Sequence, residues 1–163
     1  MKKATFSTIL VWFLLLASIG TAAAAPMGKT AFKAILSGAA AGSDSDAHGR
    51  AVFIFANDGS KMKFKLVVNG LDNPTMAHIH VAPAPGEDGP PVLWLYPAAP
   101  PPTLIEGTFN GLLGSGTVTS ANLTGAAGIS SLEDLQMAIE EGRAYVNVHT
   151  SAFPGGEIRG VIR

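Results

Sequence analysis

The stretch Met76-Ala77-His78-Ile79-His80-Val81 alternates between apolar and polar side chains, which is the pattern of a β-strand. Successive side chains of a strand point to opposite faces, so Ala77 and every second residue after it face one way. Met76, His78 and His80 face the other way. The stretch therefore predicts a strand with one apolar face and one histidine-bearing face.

A second stretch, Ala144-Tyr145-Val146-Asn147-Val148-His149-Thr150, shows the same alternation. Its valines fall on one face, and Tyr145, Asn147 and His149 fall on the other. The chain has four histidines, and three of them lie on such faces. If the two strands are neighbours in a sheet, the three imidazole rings can meet.

Further alternating stretches, separated by turn residues, predict strands at 30–37, 50–56, 61–68, 92–96, 104–110, 116–119 and 156–162. Many short strands of this kind are typical of an antiparallel Greek-key β-sandwich or barrel, so the fold class is all-β. The period-2 reading predicts that the core includes Phe64, Leu66, Ile79, Val81, Val146, Val148 and Ile158. Three outward lysines on the strand at 61–68 indicate a solvated face or protection of a sheet edge.

One short helix is expected at 131–141. Ser130 and Glu133 have the spacing of a capping box, and Gly142 suits the helix end. The segment 83–102 contains eight of the eleven prolines, so it should form loops around the strand at 92–96. Trp94 on that strand is expected to pack in the core or an interface, with ligand stacking as the alternative.

The first residues have the features of a secretory signal peptide: Lys2 and Lys3, an apolar run and small residues around position 24. We expect residues 1–24 to be cleaved, residues 25–29 to form a short leader and residues 30–163 to form the domain. Cleavage would place the protein outside the cell or in the periplasm. The apolar run is short for a membrane span, so an uncleaved anchor is the alternative, and no span is expected after cleavage.

Cleavage would lower the Lys and Arg count from 11 to 9 against 12 Asp and Glu. The sequence has no run of basic residues, so a nucleic acid partner is not expected. It also has no Cys, which excludes disulfides and thiolate metal ligands.

Several runs of this sequence resemble the CHRD family, the domain named for its repeats in chordin. They include Ala77-His78-Ile79-His80, Gly142-Arg143-Ala144-Tyr145-Val146-Asn147-Val148-His149-Thr150 and Pro154-Gly155-Gly156-Glu157-Ile158-Arg159-Gly160. The resemblance covers about residues 30–163 and implies an exported binding domain. The sequence departs from the family at 39–43, where the family has Glu-Val-Pro-Pro, and in its proline-rich histidine loop.

A weaker similarity is to copper/zinc superoxide dismutases, which also carry His-x-His on a strand of a Greek-key barrel. It implies copper ligands at His78, His80 and His149, and an anion-attracting role for Arg159. A site with both metals needs six histidines, and this chain has four. A copper-only, dismutase-like enzyme is therefore the least favoured interpretation.

Three neutral imidazoles on matching faces suit copper or zinc. Met76 lies on the same face of its strand as His78 and His80, and it is a candidate weak ligand. Candidates for orienting or supporting the ligands are Asn147, Glu157 and Arg159. Glu157 would orient a histidine N–H, or alternatively pair with Arg159 across the hairpin. His48, in a polar loop, is not expected to be a ligand. Binding is expected to weaken as pH falls through about 6.5.

Two functions follow from these observations. The first is an exported, non-catalytic binding protein with a surface three-histidine copper or zinc site. The second is an extracellular matrix, adhesion or protein-ligand-binding module, in which the histidines are structural and the partner is another protein.

Overall fold

The computed structural model describes residues 30–163. The expected signal peptide at 1–24 and leader at 25–29 lie outside these residues. The strands are β1 (Ala31–Ser37), β2 (His48–Phe55), β3 (Met62–Asp72), β4 (Pro74–Val81), β5 (Pro91–Tyr96), β6 (Thr108–Val118), β7 (Ala144–Thr150) and β8 (Ile158–Val161). The helices are α1 (Gly38–Ala41) and α2 (Leu132–Glu140), with short 3-10 turns at Ser120–Asn122 and Ala126–Gly128.

The eight strands form one antiparallel sheet in the order β5-β4-β7-β8-β1-β2-β3-β6. The sheet curls into a nearly closed barrel, which confirms the predicted all-β fold. Its two outermost strands, β5 and β6, face each other across a seam. Gly114 of β6 lies so close to β5 that an added Cβ would stand 2.4 Å from the Leu95 carbonyl oxygen. An isolated bridge between Leu93 and Leu123 covers part of the β5 edge.

The core of the barrel follows the predicted alternation. Phe32, Ala34 and Leu36 of β1 are buried while their neighbours are exposed or half-buried, and β3 repeats the pattern over its first seven residues. The predicted core residues are all buried: Phe64, Leu66, Ile79, Val81, Val146, Val148 and Ile158. The β2–β3 hairpin turns at Gly59, whose φ of 68° favours glycine.

Several details differ from the sequence prediction. β3 is not a sheet edge, since it pairs with both β2 and β6, so its lysines do not protect an edge. β6 is one strand, interrupted by irregular pairing, where two shorter strands were predicted. The loop after β1 begins with the helical turn α1, which Ser37 caps by accepting a hydrogen bond from the Ala40 N–H.

The predicted helix is present as α2, but its cap lies one residue later than predicted. Ser131 is the N-cap, and its side chain accepts a hydrogen bond from the Asp134 N–H. Asp134 accepts in return from the Ser131 N–H, at 2.9 Å. None of the helices in residues 30–163 has the length and apolar character needed to cross a lipid bilayer.

A substitution of Val148 tests which side chains of β7 face the core, because Val148 is fully buried and adjacent to His149 in the sequence. Val148→Ala is expected to lower the free energy of unfolding by about 1–3 kcal/mol, through lost burial and the cavity it leaves. Chemical denaturation measures this change. Val67→Ala is the matched control, since Val67 is 40% exposed on β3. Equal losses in the two variants would contradict the assigned faces.

Candidate metal centre

The three histidines are brought together by the pairing of β4 with β7. In this antiparallel ladder Met76 lies opposite His149, His78 opposite Asn147 and His80 opposite Tyr145. Since side chains at neighbouring positions on one face of a sheet contact each other, His78, His80 and His149 form a single cluster. The alternation in the two sequences thus placed the histidines on the correct face.

The distances within the cluster suit a shared ion. One ring nitrogen from each of His78, His80 and His149 lies within 4.8 Å of the others. Within the cluster, His78 Nδ1 and His149 Nε2 lie 3.3 Å apart. Nitrogens bound to one zinc or copper ion at about 2.0–2.1 Å lie roughly 3–4 Å from each other. The cluster is therefore slightly wider than a closed coordination shell.

Backbone carbonyls fix the orientation of two of the rings. His80 Nδ1 donates to the Gly89 carbonyl oxygen at 2.9 Å, and His149 Nδ1 donates to the Pro154 carbonyl oxygen at 2.9 Å. A carbonyl only accepts, so each Nδ1 carries the proton and each Nε2 carries a lone pair in the neutral ring. This is the arrangement in which a backbone carbonyl orients a metal-binding histidine.

Three buried polar atoms of the site have no hydrogen-bond partner: His78 Nε2, His80 Nε2 and Asn147 Oδ1. A buried polar atom without a partner costs about 1–3 kcal/mol of stability, so such atoms are uncommon. Asn147 Nδ2 does have a partner, since it donates to the Gly155 carbonyl oxygen at 3.0 Å. Of the three, His80 Nε2 carries a lone pair, because His80 Nδ1 holds the proton, and it is therefore able to bind an ion.

The predicted surface location of the site is wrong. The exposed fractions of His78, His80 and His149 are 3%, 8% and 5%. The Trp94 ring lies edge-on to His78 with centroids 4.2 Å apart, and Tyr145 stacks on His80 at 5.0 Å. The alternation of side chains along a strand predicts which face of the sheet a residue lies on, but it does not predict what packs over that face. Here aromatic rings and loops cover the histidines.

Burial also sets the charge of the rings. Burial, aided by repulsion from His149 and His80, lowers the pKa of His78 to about 3. It also lowers the pKa of His80 and His149, while the carbonyls of Gly89 and Pro154 partly oppose that shift. All three rings are therefore neutral at pH 7 and can bind a metal without first losing a proton. The expected weakening of ion binding consequently moves below pH 6.5 for the folded site.

Glu157 does not orient a histidine, contrary to the prediction. Its carboxylate is buried and accepts hydrogen bonds from the hydroxyls of Ser45 and Thr150, each at 2.6 Å. It also does not pair with Arg159. Glu157 instead ties the loop after α1 to the end of β7. Ser45 lies 112 residues away in the sequence, so nothing local to Glu157 indicated this role.

Arg159 does lie beside the cluster and holds the loop that covers it. Its guanidinium forms an ion pair with Asp88 at 2.5 Å and donates to the Glu87 carbonyl oxygen at 3.0 Å. It also stacks over the Tyr145 ring, with its central carbon 3.5 Å from the centroid. Since Gly89 of the same loop accepts from His80, Arg159 acts on the histidines through this loop.

A cavity of about 250 Å³ reaches one histidine of the cluster, His80. His80, Asn147 and Arg159 line it together with the glycines at 89, 155 and 156. Gly156 has a φ of 124°, and an added Cβ would stand 2.2 Å from Asn147 Oδ1. Glycine at this position therefore leaves room for the Asn147 side chain.

The remaining predicted residues lie as follows. Met76 is half-buried opposite His149 in the ladder, and its role as a weak ligand stays a prediction. His48 opens β2, is exposed and lies apart from the cluster, with Nδ1 3.3 Å from the Asp46 carbonyl oxygen. Trp94, expected in the core or an interface, is half-buried and covers His78.

Asp88→Asn is expected to weaken copper or zinc binding by roughly 10-fold, in the lower part of the range for groups that support metal ligands. The change removes the carboxylate that anchors Arg159, so the loop bearing Gly89 holds His80 less firmly. Calorimetric titration measures the affinity. Glu141→Gln is the matched control, because it removes the ion pair between Glu141 and Arg143, at 2.6 Å, elsewhere on the surface. Equal effects of the two changes would contradict this role of Asp88.

A family model described as the CHRD domain matches residues 32–162, nearly the whole chain. No curated protein gives a match, and no solved structure does so either.

Proposed function

The chain belongs to the CHRD domain family, and we propose that it is an exported, non-catalytic binding protein that holds one copper or zinc ion with His78, His80 and His149. The observation that carries the proposal is the arrangement of these three neutral rings. One ring nitrogen of each histidine lies within 4.8 Å of the others, and Nε2 of His80 has no hydrogen-bond partner.

The chemistry of the ligands favours copper and zinc among the common metal ions. Imidazole nitrogen suits both, while calcium and magnesium prefer oxygen ligands. Three histidines leave at least one coordination position open. The cavity beside His80 and Asn147 provides space for a water molecule at that position. If Met76 joins the ligands, its thioether favours Cu(I).

One contact supports the alternative, in which the histidines are structural. The 3.3 Å between His78 Nδ1 and His149 Nε2 also fits an N–H···N hydrogen bond. In that case the domain is an extracellular matrix, adhesion or protein-ligand-binding module. This alternative leaves the partnerless Nε2 atom of His80 unexplained.

The test is elemental analysis of untagged protein purified from its native compartment without added metals, followed by titration of the metal-free protein with Cu(I), Cu(II) and Zn(II). We expect one equivalent of copper or zinc. Absence of stoichiometric binding for all three ions would favour the structural role.

Mass spectrometry of the same sample tests export, since cleavage after Ala24 would make Ala25 the first residue.

A further inference from the structure

The outer face of β1, β2, β3 and β6 carries residues that the candidate metal site does not use. The strand registers align their side chains in three rows across the four strands. The rows are Ala31-Ile54-Lys63-Thr117, Lys33-Val52-Lys65-Ser115 and Ile35-Arg50-Val67-Leu112. We call these twelve positions the basic outer face. All are exposed except Val52, which is half-buried.

The charge of this face is opposite to that of the rest of the domain. It carries Lys33, Arg50, Lys63 and Lys65, which are four of the eight Lys and Arg in residues 30–163. None of the twelve Asp and Glu of the chain lies on it. A cluster of positive charges on a chain with a net charge of −1 produces a local positive potential, which attracts acidic partners.

The same face also concentrates exposed apolar side chains. Six large hydrophobic residues in the described part of the chain are exposed, and four of them belong to the basic outer face: Ile35, Ile54, Val67 and Leu112. Their exposed fractions range from 40% to 64%. Ordinary surfaces carry such residues singly, and a contiguous group rimmed by polar residues marks an interaction site.

A groove of about 440 Å³ crosses two of the three rows. Val52 and Ile54 lie along it, and Lys63 and Lys65 also line it. The groove therefore has apolar walls, which also include Phe64, and two lysines among its lining residues. A side chain or an extended segment can enter a groove, whereas the flat surface of a bilayer would leave it unfilled.

From this combination we propose that the basic outer face binds an acidic segment of a partner protein, in which carboxylates alternate with aliphatic residues. The carboxylates would meet the lysines and Arg50, and the aliphatic side chains would enter the groove. A second copy of this chain is a poor occupant, because two such faces would bring four positive charges against four others. Measured across the sheet, the four strands span roughly 14 Å, which is the length of about four residues of an extended segment.

This proposal does not depend on the metal site. The histidines lie on β4 and β7, whereas the face is formed by β1, β2, β3 and β6. Both sets belong to one barrel but use different surfaces. If an experiment contradicts one of the two proposals, the other is therefore unaffected.

The test uses a fluorescein-labelled synthetic peptide of about ten residues, alternating Glu and Leu, long enough to extend about 33 Å. Binding to the full domain is followed by fluorescence anisotropy at low and at physiological salt. We expect Lys63→Glu combined with Lys65→Glu to weaken binding at least about tenfold, and Ile54→Ser about threefold. Because these side chains are exposed, the variants should keep the unfolding temperature of the parent protein.

Matched controls come from the same chain. Lys61→Glu changes a neighbouring lysine outside the three rows, and Met137→Ser changes an exposed apolar residue on α2. Both should leave peptide binding unchanged. A peptide alternating Glu and Ser should bind more weakly, because it lacks the aliphatic contacts.

Three results would overturn the proposal. The first is absence of peptide binding, and the second is equal binding of the Glu-Leu and Glu-Ser peptides, which would show a charge effect alone. The third is binding to phosphatidylglycerol vesicles, lost on changing Lys63 and Lys65, with no binding of the peptide. That result would identify the face as a membrane contact instead.

Discussion

His149→Ala is expected to abolish stoichiometric binding of copper or zinc, with a loss of affinity greater than about 100-fold. This loss should exceed the 10- to 100-fold effect of removing a supporting group, because the change removes one of only three ligands. The His149 ring also has a contact at each of its two nitrogens. Its Nδ1 is held by the Pro154 carbonyl oxygen, and its Nε2 lies 3.3 Å from His78 Nδ1.

The measurement is competition with a chromophoric chelator, on metal-free protein, for Cu(I), Cu(II) and Zn(II) separately. His78→Ala and His80→Ala should lose affinity to a similar degree. His48→Ala is the control, since this histidine is exposed and outside the cluster, and it should retain full affinity. Retention of one tightly bound ion by His149→Ala would place the ion elsewhere in the protein.

The metal-free protein is expected to lose stability steeply as the pH falls below about 6.5. Unfolded histidines take up protons near pH 6.5, whereas burial lowers the pKa of His78, His80 and His149 in the folded protein. The unfolded state then binds more protons, so acid favours it. Each histidine that stays neutral costs up to about 1.4 kcal/mol of unfolding free energy per pH unit.

The pH window follows from the direction of these shifts. Above pH 6.5 the histidines are neutral in both states, and the free energy of unfolding is not reduced by them. Below pH 6.5 the free energy of unfolding falls progressively, because the unfolded histidines take up protons. For His78 the loss continues towards pH 3, where the folded ring also takes up a proton. Urea denaturation at several pH values measures the slope of stability against pH.

Comparison of variants separates the histidines from the carboxylates, which also titrate in acid. His78→Gln should flatten the slope between pH 6.5 and 4, while His48→Gln should leave it unchanged. Saturation with the bound ion should raise stability throughout, by about 2.7 kcal/mol at 100 times the dissociation constant. A stability profile that is flat between pH 7 and 5 would show that the rings are not held neutral in the folded state.

The sequence was sufficient to predict most of the strands and the alternation of their side chains, although β6 was predicted as two shorter strands. In β3 the alternation from Met62 to Val68 reflects burial on one side only, and the structure repeats it. The histidines could be found in the same way, because a period of two relates His78 to His80 directly. Their proximity to His149 depended on the pairing of β4 with β7, which the alternation within a single strand does not predict.

The surroundings of the cluster depended on contacts distant in sequence. Asp88 and Arg159 are 71 residues apart, and Ser45 and Glu157 are 112 apart. Alternation cannot predict these pairs, because it describes one strand at a time. The same limit explains why the burial of the site was missed: Trp94 reaches His78 from β5, and Gly89 reaches His80 from a proline-rich loop.

The seam between β5 and β6 has a consequence for the motions of the barrel. In a middle strand the amide N–H groups donate to neighbouring strands on both sides, whereas β5 pairs with a neighbouring strand, β4, on one side alone. Its other edge is held by the Leu93–Leu123 bridge and by the Thr124 N–H, which donates to the Val92 carbonyl oxygen at 3.0 Å. Local opening should therefore begin at β5, and its amides should exchange with deuterium sooner than those of β7. Because β5 carries Trp94, each such opening would also uncover the His78 ring.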